Sequence, residues 1–178
     1  MTYPYLSGIN YESVADGPGV RVSLFLSGCT HKCKGCFNTE THDPCYGSEI
    51  NSDMIDSVVS YIKDTSYISG ITLTGGDPLY CPEKTANLLY SLRSRLGKHW
   101  NNLNVWLYTG YKWKNILDLY QSDNNIGRIL AMTDVVVDGP FMQNFADASL
   151  AFRGSSNQRI IDVRQSLKNE EIVRWNQN

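Results

Sequence analysis

The sequence predicts an α/β fold: a single-domain partial (β/α) barrel with a mostly parallel sheet, built from about five or six βα units. Three observations carry this. Short alternating or β-branched strands recur with amphipathic helices between them. The chain has 178 residues, too few for a complete eight-unit barrel of about 250. The residues that carry chemistry follow the strands rather than precede them, and that edge is where parallel α/β folds bind ligands.

The elements read in order. Val20, Val22, Leu24 and Leu26 alternate along a first strand, and Met54, Ile55, Val58, Val59 and Ile62 recur at helical spacing behind the capping candidates Asn51 and Ser52. A second strand runs from Ile71 to Thr74. The next helix opens with Pro82 and Glu83, carries Leu89, Leu92 and Leu96 on one face, and stops at Gly97. Val105 to Tyr108 forms a third strand, Trp113, Ile116, Leu117 and Tyr120 a third helix, and Val135 to Val137 a short fourth strand. No repeat, low-complexity tract or Pro/Ser-rich linker divides the chain, so one domain over residues 1–178 is expected. The tail from Ile161 onward carries no pattern that ties it to the rest.

With 42% hydrophobic and 19% charged residues the chain can bury a core without help from a metal, so a metal site would be functional. Sixteen Lys and Arg against eighteen Asp and Glu give a net charge of −2, which supplies no basic field for nucleic acid. No run reaches the roughly 18 apolar residues of a membrane span, and Met1-Thr-Tyr-Pro lacks the features of a signal peptide. A cytoplasmic protein with neither nucleic-acid nor membrane partners is expected.

Of the five cysteines, three fall in Cys29-Thr-His-Lys-Cys33-Lys-Gly-Cys36, a spacing that suits a metal or cluster loop better than a disulfide framework. Three thiolates on a four-iron cluster would leave one iron open to chelate an amino and a carboxylate group. A structural zinc site completed by Cys45, His42 or His31 fits the same spacing, because thiolates suit both. Cys45 and Cys81 otherwise read as buried small residues, and His31 and His42 as solvent-facing. The second signal is Thr72-Leu-Thr-Gly75-Gly76-Asp77-Pro78, an apolar strand ending in paired glycines, an acid and a proline. It is either a tight turn or a strand edge whose bare carbonyls, with the Asp77 carboxylate, hold a ligand ammonium. Asp16 to Arg21 reads as a glycine-shaped approach to the cluster or as a plain turn. Asp138 could reach a ribose hydroxyl or form a turn, and Arg153, Asn157 and Gln158 could grip a substrate or brace the fold.

A cysteine triplet after the first core strand and a Gly-Gly-acid-Pro after the second resembles the radical S-adenosylmethionine enzymes. Asp16-Gly-Pro-Gly-Val-Arg21, leading into the cysteine strand, is similar to their glycyl-radical-activating branch. The phrases Thr72 to Tyr80, Trp106 to Tyr111, Val136 to Gly139 and Arg153 to Gln158 extend the resemblance over residues 5 to 160. It implies a 4Fe-4S cluster on Cys29, Cys33 and Cys36. It also implies S-adenosylmethionine contacted by Gly75, Gly76, Asp77 and Pro78, with Gly35, Cys36 and Phe37 near its adenine. The family usually has an aromatic residue where Gly35 stands, here displaced to Phe37, and often Glu where Asp77 stands. The chemistry implied is reductive cleavage of the cofactor to a 5′-deoxyadenosyl radical, with no side-chain catalytic base. The partners implied are an anaerobic ribonucleoside-triphosphate reductase, as the glycyl-radical protein, and a flavodoxin-like electron donor.

Overall fold

The computed structural model describes residues 1–176. In chain order the strands are β1 (Tyr5–Ser13), β2 (Val20–Leu26), β3 (Ser48–Glu49), β4 (Ile68–Gly75), β5 (Asn104–Tyr108), β6 (Val135–Asp138) and β7 (Arg159–Asp162). The helices are α1 (Ser52–Asp64), α2 (Pro82–Leu96), α3 (Trp113–Ser122), α4 (Asn124–Leu130) and α5 (Val163–Asn169). All seven strands form one sheet in the order β3-β1-β2-β4-β5-β6-β7.

The four strands read from the sequence, β2, β4, β5 and β6, are the parallel centre of this sheet. Helices α1, α2 and the α3–α4 pair make the three crossovers between them. Outside that centre the sheet is antiparallel: β1 pairs with β2 and β3, and β7 with β6. The count of five or six βα units therefore meets four parallel strands, because the chain returns to both edges by direct reversals rather than by helical crossovers.

The strand period of two sorts side chains to opposite faces. Val22, Leu24, Leu26, Ile71, Leu73, Val105, Leu107 and Val136 join a core with Ile55 and Val58 of α1, Leu88 and Leu92 of α2, and Ile126 and Ile129 of α4. Burying each such side chain is worth about 1.5–3 kcal/mol. Asn51 caps α1 by accepting from the Met54 N–H at 2.9 Å, and Asp123 caps α4 through the Asn125 N–H at 2.8 Å. Pro82 starts α2 and Gly97, at φ +56°, ends it.

The other face carries Arg21, Ser23, Thr72 and Trp106 in alternate register, and Trp106 packs with Val135, Val137, Phe152 and Trp175. As far as it is described, the tail folds onto the domain. The Trp175 N–H donates to the Ile160 carbonyl at 3.0 Å, and the Asp162 N–H to Val173 at 3.0 Å. Arg21 is fully buried at the N-terminal end of β2, so the Asp16–Arg21 turn sits ~17 Å of strand below the cysteine loop. It is a structural knot and not an approach to that loop.

Candidate functional site

The loop leaving β2 carries the three cysteines and is held at both ends by the strand edge beside it. The Gly28 N–H donates to Thr41 O at 2.8 Å, and the Asp77 N–H to Gly28 O at 2.8 Å. The Gly76 N–H donates to Leu26 O at 2.7 Å, and the Asn38 side-chain amide to Gly75 O at 3.3 Å. Glycine is required here for two separate reasons. Gly75 stands at φ +97°, and a Cβ on Gly76 would lie 2.6 Å from Gly28 O and 2.8 Å from Thr41 O.

Loops after the four parallel strands meet at one cleft of about 170 Å³. Cys29, Cys33, Cys36 and Phe37 line it from the first, Gly75 and Gly76 from the second, Thr109 and Gly110 from the third, and Gly139 and Phe141 from the fourth. Gly154 and Gln158 complete the wall. This is the convergence expected at the C-terminal edge of parallel strands. Three other residues expected at the cofactor do not line the cleft. Gly35 makes a left-handed turn beside Gln143, and Asp77, only 2% exposed, lies behind the wall with Pro78 next to it. Phe37 is 81% exposed, with its ring edge-on to Phe141 at 5.3 Å.

The histidines differ from the sequence expectation. His31 turns inward to Asp77, its Nε2 2.7 Å from Oδ2, and the Nε2 of His42 is buried on the cleft with no partner among the described residues. Both are half-buried rather than turned outward, because the loop that carries the cysteines folds back onto the strand edge. Cys45 is exposed and Cys81 half-buried at the start of α2; neither lines the cleft, and the exposure of Cys45 departs from the buried place expected for it. Asp138, 1% exposed, accepts from the Trp113 N–H at 2.6 Å and pairs with Arg159, so its carboxylate is committed to the fold. Arg153 donates to Gln158 O at 2.8 Å and Asn157 to Pro140 O at 2.8 Å. The Gln158 amide is held by Gly154 N and Gly139 O. These residues brace the loop.

Burial pushes the Cys29 and Cys33 thiols up, so without metal they hold their protons at neutral pH and a bound iron must displace them. Backbone N–H groups of His31 and Lys32 aimed at the Cys29 sulfur work in the opposite direction, favouring the thiolate. The donor set fits an iron–sulfur cluster. Three soft sulfur ligands share one cleft, yet among the described residues no three His, Cys, Asp or Glu side chains converge tightly enough for a single ion. A cubane places each thiolate on its own iron and needs them apart. Sequence named His31 and His42 only as ligands of a zinc alternative, and the contacts they make could not be read, because those contacts cross between loops. Thr109-Gly110 follows directly on the third strand read from the sequence, the edge at which ligands bind in parallel α/β folds.

Residues 15–161 match the family described as a 4Fe-4S single cluster domain, which decides between the cluster and the zinc alternatives. The chain is 36% identical over 159 residues to the anaerobic ribonucleoside-triphosphate reductase-activating protein of Enterobacteria phage T4, covering 85% of this chain and 93% of that one. It is 38% identical over 148 residues to the protein of the same name from Vibrio cholerae (83% and 90% covered). It is 36% identical over 152 residues to that of Escherichia coli (85% and 94% covered). Among the described residues no helix is long and apolar enough to cross a membrane. By its cysteine loop, its cluster-domain match and its likeness to these proteins along most of its length, the chain belongs to the family of anaerobic ribonucleoside-triphosphate reductase-activating proteins.

Proposed function

We propose that the chain installs a glycyl radical on an anaerobic ribonucleoside-triphosphate reductase, using a 4Fe-4S cluster and S-adenosylmethionine. Cys29, Cys33 and Cys36 hold the cluster and leave one iron for the amino and carboxylate groups of the cofactor. The bound cluster, with a flavodoxin-like protein as its reductant, would supply the one-electron chemistry that cleaves S-adenosylmethionine and leads to removal of a hydrogen atom from a backbone glycine.

The protein's own part is placement and exclusion of water. The carbonyls of Gly75 and Gly76, on the cleft beside the thiols, accept from the cofactor ammonium. Asp77 and Pro78 support that edge from behind, and Phe37 with Phe141 offers an apolar surface to the adenine. A glycine loop of the reductase would enter over these strand ends. The observation that carries this reading is the meeting of the thiols and the paired glycines across one cleft.

The test is to mix the reconstituted, reduced protein with S-adenosylmethionine and a family reductase and to record the electron paramagnetic resonance spectrum. A glycyl radical doublet on the reductase, absent when either component is omitted, is expected. Formation of 5′-deoxyadenosine with no doublet under any reductase ratio would redirect the reading to a small-molecule substrate.

A further inference from the structure

We propose that Asp77 and His31 form a clamp that holds the cysteine loop in place for the cluster, and that Asp77 is a positioning residue rather than a contact to the cofactor. The proposal rests on the cluster reading above and concerns how the same site is built.

An ionised carboxylate offers about four acceptor sites, and those of Asp77 are taken. Oδ1 accepts from the Leu79 N–H at 2.8 Å, and the Thr109 hydroxyl bridges both oxygens at 3.0 and 2.9 Å. Oδ2 accepts from the Gly110 N–H at 3.0 Å and from His31 Nε2 at 2.7 Å. A carboxylate can only accept, so Nε2 of His31 carries the proton. No acceptor site is left for a cofactor ammonium. Three of the donors come from the loops after β4 and β5, and the fourth is the only one on the cysteine loop, midway between Cys29 and Cys33.

The ring of His31 is held from the sides as well. It meets Tyr111 edge-on at 4.6 Å, and it fills the space that a side chain at Gly110 would occupy, since a Cβ there would stand 2.3 Å from His31 Cδ2. The clamp thus joins three loops at a buried point: the Asp77 side chain is 1% exposed and that of His31 18%. Groups of this kind, one step behind the ligands, set the affinity of a metal site by limiting the freedom of the loop that bears them.

The test uses the full chain, iron-free and reconstituted. His31→Ala removes the donor, His31→Gln restores an N–H of similar reach, Gly110→Ala drives the ring off, and Asp77→Asn turns acceptor sites into donors. Circular dichroism and thermal unfolding establish that each variant folds. In iron-free protein, alkylation of Cys29, Cys33 and Cys36 followed by mass spectrometry reports the freedom of the loop, with the exposed Cys45 as internal control. The clamp predicts about tenfold faster alkylation and about tenfold faster iron release to a chelator in His31→Ala and Gly110→Ala, with His31→Gln recovering most of the difference. Asp77→Asn, which disturbs the same clamp, speeds alkylation and iron release to a similar extent, whatever it does to the KM for S-adenosylmethionine per loaded cluster. Unchanged alkylation in both His31→Ala and Gly110→Ala overturns the clamp. So does a tenfold rise in that KM for Asp77→Asn with alkylation unaltered, which would make Asp77 a cofactor contact. Should the wild-type chain take up no iron, the cluster reading fails, while the alkylation rates still judge the clamp.

Discussion

At the N-terminal end of β2 the Arg21 guanidinium is fully buried and all five of its N–H groups are used. Nε donates to Thr72 Oγ1, Nη1 to Pro18 O and Asn104 Oδ1, and Nη2 to the carbonyls of Ile71 and Asn104. At the C-terminal end of the same strand the chain instead lines a cleft with three thiols, and among the described residues the buried His42 Nε2 has no partner. Buried polar groups are ordinarily satisfied. The end where every donor is matched is therefore the end that holds the sheet together, and the end with groups to spare is the one built for a ligand.

The largest effect expected from breaking that contrast is on stability, with chemistry spared. Among the described residues no carboxylate pairs with Arg21; burial brings its pKa down to about 10, against the pull of charges at Tyr108, Asp16 and Asp134. It stays charged at neutral pH and is held by carbonyl and hydroxyl dipoles. Arg21→Ala strands several buried acceptors at about 1–3 kcal/mol each, so urea unfolding of the iron-free protein should show a loss of at least about 3 kcal/mol. Iron bound per folded chain should not change. A stability loss below about 1 kcal/mol would remove the distinction between the two ends.

Gly76→Ala attacks the other end. The new methyl meets backbone of the cysteine loop on two sides, and overpacking of this kind costs about 1–3 kcal/mol. Iron retention should fall with it. Gly8→Ala, where nothing lies within 4 Å, is the control and should stay within about 0.5 kcal/mol. Equal effects of the two substitutions would show that the close approach at Gly76 has no consequence.

Asp138→Asn sharpens the boundary of the site. Loss of the pair with Arg159 and weakening of the cap on Trp113 should cost about 1–3 kcal/mol, while S-adenosylmethionine binding is unchanged. Weaker cofactor binding at unchanged stability would return Asp138 to the ribose. The smallest effect concerns pH. Because burial raises the Cys29 and Cys33 thiols, less thiolate is present at pH 7, and their alkylation in iron-free protein should reach its midpoint above the usual thiol range. A midpoint below that range would contradict the burial of these thiols.

The parallel centre of the fold was legible because its signals are local. Val20 to Leu26 alternates, Asn51 caps α1, and Pro82 and Gly97 bracket α2. The edges were not. In β1 the alternation is broken by Gly8 and Asn10, β3 has two residues, and α4 and α5 have seven each, too short for a period to show. The cysteine loop and the paired glycines were legible as spacing, and their meeting across a cleft followed from strand order. The clamp was not, since nothing in Cys29-Thr-His-Lys-Cys33 says which way His31 turns. Nor could sequence alone show Arg21 buried, because an arginine reads as surface until all of its donors are traced.

The central claim is tested most directly by reconstituting wild type and Cys33→Ala with iron and sulfide under argon, then counting iron and assaying 5′-deoxyadenosine after reduction with S-adenosylmethionine present. The account predicts about four irons per chain and nucleoside release for the wild type, with both lost in Cys33→Ala although the iron-free fold keeps its stability. Full iron content and undiminished nucleoside release in Cys33→Ala would contradict it.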